Sequence, residues 1–183
     1  QAGGIGAVLG GLLGGGSGSV KGALGGGALA LLASIAFKAL QGAGQGAGQG
    51  ALAAPGLMAS PAGQQDLEAT AQVVLKGMIS AAKADGQIDA DEMQRIVGKL
   101  QERGMDEETK AWVLNEMRQP LDLDALAAEI PSPEVAAQVY AASLLAIKVD
   151  TDTERRYLAM LADKSRLNPM VVQRIQQSMG IAA

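Results

Sequence analysis

The sequence contains no cysteine and no histidine among its 183 residues. Disulfide bonds and thiol chemistry are therefore excluded, as are the ligands that most zinc sites use. The side chain most often used for proton transfer near neutral pH is missing too. One Phe, one Trp and two Tyr are too few aromatic side chains for a surface on which nucleic-acid bases stack.

Charged residues are scarce in the first 65 positions, where Lys21 and Lys38 are the only ones. From Asp66 onward the chain carries 13 of its 15 Lys+Arg and all 19 Asp+Glu, which is six more acidic than basic residues. Nucleic-acid binding requires a basic face. We therefore expect no nucleic-acid partner.

The segment before Asp66 instead contains small residues at helical spacing. There are two stripes, and within each of them the small residues lie four positions apart. The first consists of Gly6, Gly10 and Gly14, and the second of Gly22, Gly26, Ala30 and Ser34. This small-xxx-small pattern is typical of helices that pack closely in membranes, whereas in water each glycine inside a helix costs about 1 kcal/mol. We predict a glycine-rich hydrophobic helix or hairpin that contacts membrane lipid through residues 3–40, with a homo-oligomer formed through the glycine stripe. The alternative is a flexible tail.

Composition changes again after residue 40. Residues 41–65 are rich in Gly, Gln and Pro, which is typical of a flexible linker. From Asp66 the apolar residues recur at helical spacing, without period-two runs. The predicted organisation is a membrane segment over residues 1–40, a linker over 41–65 and an acidic all-helical domain over 66–183.

Capping residues divide the acidic domain into helices. Side-chain oxygens favour helix starts, proline the first helical position, and glycine the residue after a helix end. The predicted helices run from about Asp66 to Ala84, from Asp89 to Gly104, from Asp106 to before Pro120, from Asp122 or Asp124, from Ser132 to about Lys148, from Thr151, and from Asn168 to Gly180. The fold class is therefore all-α, a bundle of about seven helices.

Two halves of this domain align. Lys83-Ala84-Asp85 corresponds to Lys148-Val149-Asp150, and the Asp89…Glu92 step corresponds to Thr151…Glu154. In both copies the corner, which is the turn between two predicted helices, is followed by a cap for the next helix and then by a cap for the helix after that. We therefore predict an internal two-fold repeat.

Three segments carry a resemblance to a known superfamily: ISAAKADGQIDADEMQRI (79–96), QPLDLDALA (119–127) and VDTDTERRYLAMLA (149–162). They resemble the TerB-like (tellurite-resistance-like) superfamily, most closely its uncharacterised bacterial inner-membrane branch typified by YebE. The resemblance implies an all-α bundle with a membrane anchor and a loose link to stress, and no established activity. Metal binding through the acidic corner is thought to occur in relatives, which implies ligands here at Asp85, Asp89, Glu92, Asp150 and Glu154.

The first acidic corner, AAKADGQIDADE (81–92), partly matches an EF-hand loop. Ala81 and Lys83 stand where that loop needs its first two carboxylates, and Ca²⁺ requires six to eight oxygens, so an EF-hand is excluded. A structural interpretation makes Asp89 with Glu92 a capping box, and likewise Thr151 with Glu154.

The metal interpretation stays open beside the structural one, because capping leaves Asp85 and Asp150 unexplained. If the two corners face each other, their carboxylates are arranged to hold one Ca²⁺ or Mg²⁺. The candidate metal ligands are Asp85, Asp89, Glu92, Asp150, Asp152 and Glu154.

The sequence predicts a membrane-tethered, non-enzymatic helical adaptor. We expect it in the bacterial inner membrane with the acidic domain in the cytoplasm, and with a link to envelope stress. A divalent-cation sensor that uses the acidic corners is the first alternative, and an enzyme of unrecognised type is the second. No catalytic residue is indicated.

Overall fold

In the computed structural model, the described residues are 26–42, 61–84, 107–147 and 151–180. Every regular element in these ranges is a helix: α1 Gly26–Gly42, α2 Pro61–Ala82, α3 Glu107–Arg118, α4 Leu123–Ala128, α5 Pro133–Ala146, α6 Asp152–Lys164 and α7 Pro169–Ser178. The predicted all-α class is confirmed, with seven helices and no strand in these ranges.

Four predicted helix starts are capped by the residues that the sequence indicates. Asp122 caps α4, Ser132 caps α5, Thr151 caps α6 and Asn168 caps α7. Each side-chain oxygen accepts a hydrogen bond from a backbone N–H that has no partner within its own helix. Short connections join these four helices, and α5 packs against both α6 and α7.

The end of α6 is a tight turn that leads directly into α7. The Arg166 N–H donates to the Asp163 carbonyl and the Leu167 N–H to the Ala162 carbonyl, both at 2.9 Å. This pair of bonds is a Schellman motif, which requires a left-handed residue after the helix. Arg166 occupies that position with φ 55°.

Helix α5 lies at the centre of the described bundle. Every residue from Val135 to Leu144 is buried, because α1, α2, α6 and α7 all contact this helix. At Gly77 of α2 the two backbones approach closely, since a Cβ there would lie 2.6 Å from Val139 Cγ1. A helix that is apolar on all sides needs neighbours on all sides.

Helix α1 is one of those neighbours, although it lies mostly within the predicted membrane segment. Its buried residues are Leu32, Ala36, Ala39 and Leu40, which share one helical face and belong to the same core as α5 and α7. None of the described helices is long and apolar enough to cross a bilayer.

Several predicted boundaries shift, and others lie outside the described residues. Helix α2 begins at Pro61, so residues 61–65 of the predicted linker are helical, because proline is well suited to the first helical turn. Helix α5 ends at Ala146, and Ile147 is already extended. The helix predicted after Asp89 is outside the described ranges, as are residues 1–25 and 43–60. The three-segment division and the internal repeat stay predictions.

Candidate functional site

The predicted metal site is only partly within the described residues. Asp152 and Glu154 lie in the first turn of α6, whereas Asp85, Asp89, Glu92 and Asp150 lie outside the described ranges. Within those ranges, no group of three or more acidic side chains is placed to hold a metal ion. Metal binding by the two corners therefore stays a prediction.

The two described carboxylates bind to their own helix. Glu154 Oε2 accepts hydrogen bonds from the Thr151 N–H and the Thr151 hydroxyl, both at 2.9 Å. Asp152 forms an ion pair of 2.8 Å with Arg155. The capping box predicted for Thr151 and Glu154 is confirmed. Acidic groups are also favoured in a first helical turn by the helix dipole, which accounts for both residues without a metal.

Lys83 has a role that the sequence does not reveal. Its side chain is buried, and Nζ donates to the carbonyl oxygens of Glu116 at 2.7 Å and Gln119 at 2.9 Å. These oxygens lie at the C-terminal end of α3, where unpaired carbonyls and the helix dipole favour a cation. Burial lowers the pKa of Lys83, and the Glu116 carboxylate opposes that shift. Lys83, which lies in the first acidic corner, thus joins the end of α2 to the end of α3.

A cluster of buried hydroxyl groups joins α2, α5 and α6. The Tyr157 hydroxyl donates to the Gly77 carbonyl at 3.1 Å, and the Ser143 hydroxyl donates to the Val139 carbonyl at 2.9 Å. Burial raises the pKa of Tyr157, although hydrogen bonds with Ser143 and Ser80 oppose the rise. The Tyr157 and Ser143 side chains are almost fully buried, so they hold helices together rather than contact a ligand.

The described residues form an open cleft of about 620 Å³ between the α4–α5 corner and the end of α6. Its lining residues are Asp124, Ala127, Ala128, Ile130, Pro131, Ser132, Pro133, Asp163, Lys164, Ser165 and Arg166. Lys164 pairs with Asp124, the Ser132 hydroxyl caps α5, and the Ser165 hydroxyl donates to the Leu161 carbonyl. The lining therefore contains no hydroxyl paired with a general base, the arrangement that activates a serine nucleophile.

Helices α1 and α7 form another exposed surface. Leu31 and Phe37 of α1 and Met170 of α7 are exposed large apolar residues, and the two helices pack against each other. At the end of α1, the Arg174 guanidinium of α7 occupies the space that a Cβ on Gly42 would need. The sequence pattern indicated an apolar α1, but not that one of its faces is packed and the other open.

Comparison with known protein families gives a match that extends over most of the chain. A family model described as "Protein of unknown function (DUF533)" matches residues 1–179. The chain belongs to the DUF533 family. DUF533 is a TerB-like family, so the resemblance is confirmed at the superfamily level.

The chain is also similar to a protein of Yersinia enterocolitica. The chain is 32% identical over 117 residues to the "Uncharacterized protein in ampR 5'region" of that organism, and the match covers 63% of this chain and 84% of that protein. No solved structure matches the chain. The DUF533 match extends over the glycine-rich segment as well as the bundle.

Proposed function

We propose that this DUF533 protein is a membrane-associated helical interaction protein without enzymatic activity. The observation that carries the proposal is the position of α1. This helix begins at Gly26, directly after a segment of 25 residues whose only charge is Lys21, and it packs into the core of the bundle. An apolar segment that enters lipid would therefore be coupled directly to the bundle.

Burial of apolar side chains of α1 stabilises its attachment to the bundle. Leu32 and Leu40 are almost fully buried, and complete burial of a leucine side chain contributes about 1.5–3 kcal/mol. Undocking of α1 would also expose apolar surface on α5 and α7, because both contact it. Lipid contact is accordingly assigned to residues 1–25 and to the outer side of α1, while the inner side stays in the bundle.

An interaction role is supported by the chemistry of the bundle. The polar side chains described above donate to backbone carbonyls, form ion pairs or cap helices, and the charges of the open cleft include the Lys164–Asp124 pair. A helical bundle with capped ends and an acidic surface is suited to binding a partner protein, whose identity the proposal leaves open. The resemblance to the inner-membrane branch supports a location at the bacterial inner membrane, with the bundle in the cytoplasm.

Membrane fractionation tests the association. We expect the full chain to sediment with bacterial membranes, and Leu12→Asp with Leu13→Asp to move it to the soluble fraction, because a buried charge in lipid costs about 2.5–3.5 kcal/mol. The matched control is Leu121→Asp with Leu145→Asp, which places the same charges at exposed positions of the bundle. Recovery of the unaltered chain in the soluble fraction would refute the proposal.

A further inference from the structure

Helices α1 and α7 expose apolar side chains although each also contributes to the core. Leu31 is 66% exposed, Phe37 46% and Met170 51%. Both helices are nevertheless packed against the bundle, because other residues of α1 and α7 are fully buried in the core. We use the name α1–α7 face for the exposed sides of these two packed helices, which carry Leu31, Phe37, Lys38, Met170 and Arg174.

The α1–α7 face differs in charge from the other helices that the structure describes. Lys38 and Arg174 are the only charged residues of these two helices, and neither helix contains an acid. Each of the other five described helices contains at least one Asp or Glu, in a chain with 19 acidic and 15 basic residues. An acidic protein thus presents one pair of helices without carboxylates to an approaching anion.

We propose that the α1–α7 face is a docking surface for an anionic lipid bilayer. The inference rests on the proposed membrane association and adds to it the orientation of the bundle. The face adjoins residues 1–25 in sequence, since α1 starts at Gly26. Apolar side chains flanked by Lys or Arg are typical of surfaces that lie in the bilayer interface, and each cation near an anionic leaflet contributes about 1 kcal/mol.

Vesicle binding by the full chain tests the charge component. Lys38→Gln and Arg174→Gln should each weaken binding to mixed phosphatidylcholine–phosphatidylglycerol vesicles about fivefold and leave binding to pure phosphatidylcholine unchanged. Arg156→Gln is the matched control, because Arg156 is exposed on α6, away from the face. An equal effect of all three variants would mean that only net charge matters, and would overturn the proposal.

The apolar component has its own pair of variants. Leu31→Ser with Phe37→Ser should weaken binding to both kinds of vesicle by about tenfold. Leu145→Ser with Met160→Ser, which are 51% and 50% exposed on α5 and α6, should leave it unchanged. If the first variant loses helical circular dichroism, Phe37→Trp in a Trp112→Phe background provides a milder readout. Its fluorescence should shift to the blue on vesicle addition.

The outcomes separate this inference from the proposed function. No binding of the unaltered chain to either kind of vesicle would remove both. Binding that persists in all variants of the α1–α7 face would assign lipid contact to residues 1–25 alone and overturn only the inference. If the same variants abolish self-association in sedimentation equilibrium but not vesicle binding, the face joins copies of the chain and the lipid assignment is wrong.

Discussion

At the scale of single residues, Arg166 carries a conformational cost. It is the only non-glycine residue with positive φ among those the structure describes, and a left-handed conformation costs an L-residue about 1–2 kcal/mol. We expect Arg166→Gly to raise the free energy of unfolding by about 1 kcal/mol in urea titration. Arg166→Ala retains the Cβ and should not stabilise. Stabilisation by both variants would show that the side chain, not the backbone, is unfavourable.

Tyr157 makes stability depend on alkaline pH. Its pKa is raised by burial above the ordinary value of 10.0, so above about pH 10 the folded state holds a proton that the unfolded state has released. The folded state then binds more protons, and stability falls as pH rises. Near pH 7, Tyr157→Phe should cost about 1 kcal/mol through the lost hydrogen bond to Gly77.

Comparison of the unaltered chain with Tyr157→Phe isolates the contribution of Tyr157 to the pH dependence of stability. The difference in unfolding free energy between the unaltered chain and Tyr157→Phe should shrink steadily above pH 10. Lys83 and Tyr140, whose pKa values are also shifted by burial, are present in both proteins and cancel in the difference. A difference that stays constant from pH 8 to pH 11 would show that the pKa of Tyr157 is the same in the folded and unfolded states, and would contradict the prediction.

At the scale of helices, Gly77 sets the distance between α2 and α5. Alanine is favoured over glycine in a helix by about 1 kcal/mol, but a Cβ here would lie 2.6 Å from Val139 Cγ1, and overpacking of a core typically costs about 1–3 kcal/mol. We expect Gly77→Ala to destabilise the protein by about 1 kcal/mol in thermal or urea unfolding.

A double-mutant cycle tests the cause of that loss. Val139→Ala removes the clashing methyl groups, so Gly77→Ala should cost less in its presence than alone. At exposed Ala69 of the same helix, Ala69→Gly measures the intrinsic preference for alanine in α2 and should destabilise. If Gly77→Ala stabilises the protein, α5 moves away at little cost and the close approach is not required.

At the scale of the whole molecule, α1 is part of the cooperative bundle. Because Leu32 and Leu40 are buried in the common core, Leu32→Ala and Leu40→Ala should each cost about 2–5 kcal/mol. Leu31→Ala, a neighbouring change on the exposed side, should stay within about 0.5 kcal/mol. Urea unfolding monitored by circular dichroism measures all three. If all three variants change the unfolding free energy by equally small amounts, α1 separates from the bundle before the bundle unfolds.

Much of the local structure was predictable because its causes are local. A cap such as Ser132 or Asn168 bonds to an N–H two or three residues further on, so sequence spacing is sufficient to find it. The same holds for the capping box of Thr151 and Glu154. Helical periodicity likewise predicted the all-α class, since it depends only on residues within a few turns.

The tertiary structure decided where those helices pack. Lys83 bonds to carbonyls 33 and 36 residues away, and Tyr157 to a carbonyl 80 residues away. No local pattern specifies such pairs, because each depends on which helices become neighbours. The apolar composition of α1 is compatible with lipid and with a protein core alike. Only its packing against α5 and α7 shows that one side of α1 belongs to the core while the other stays open.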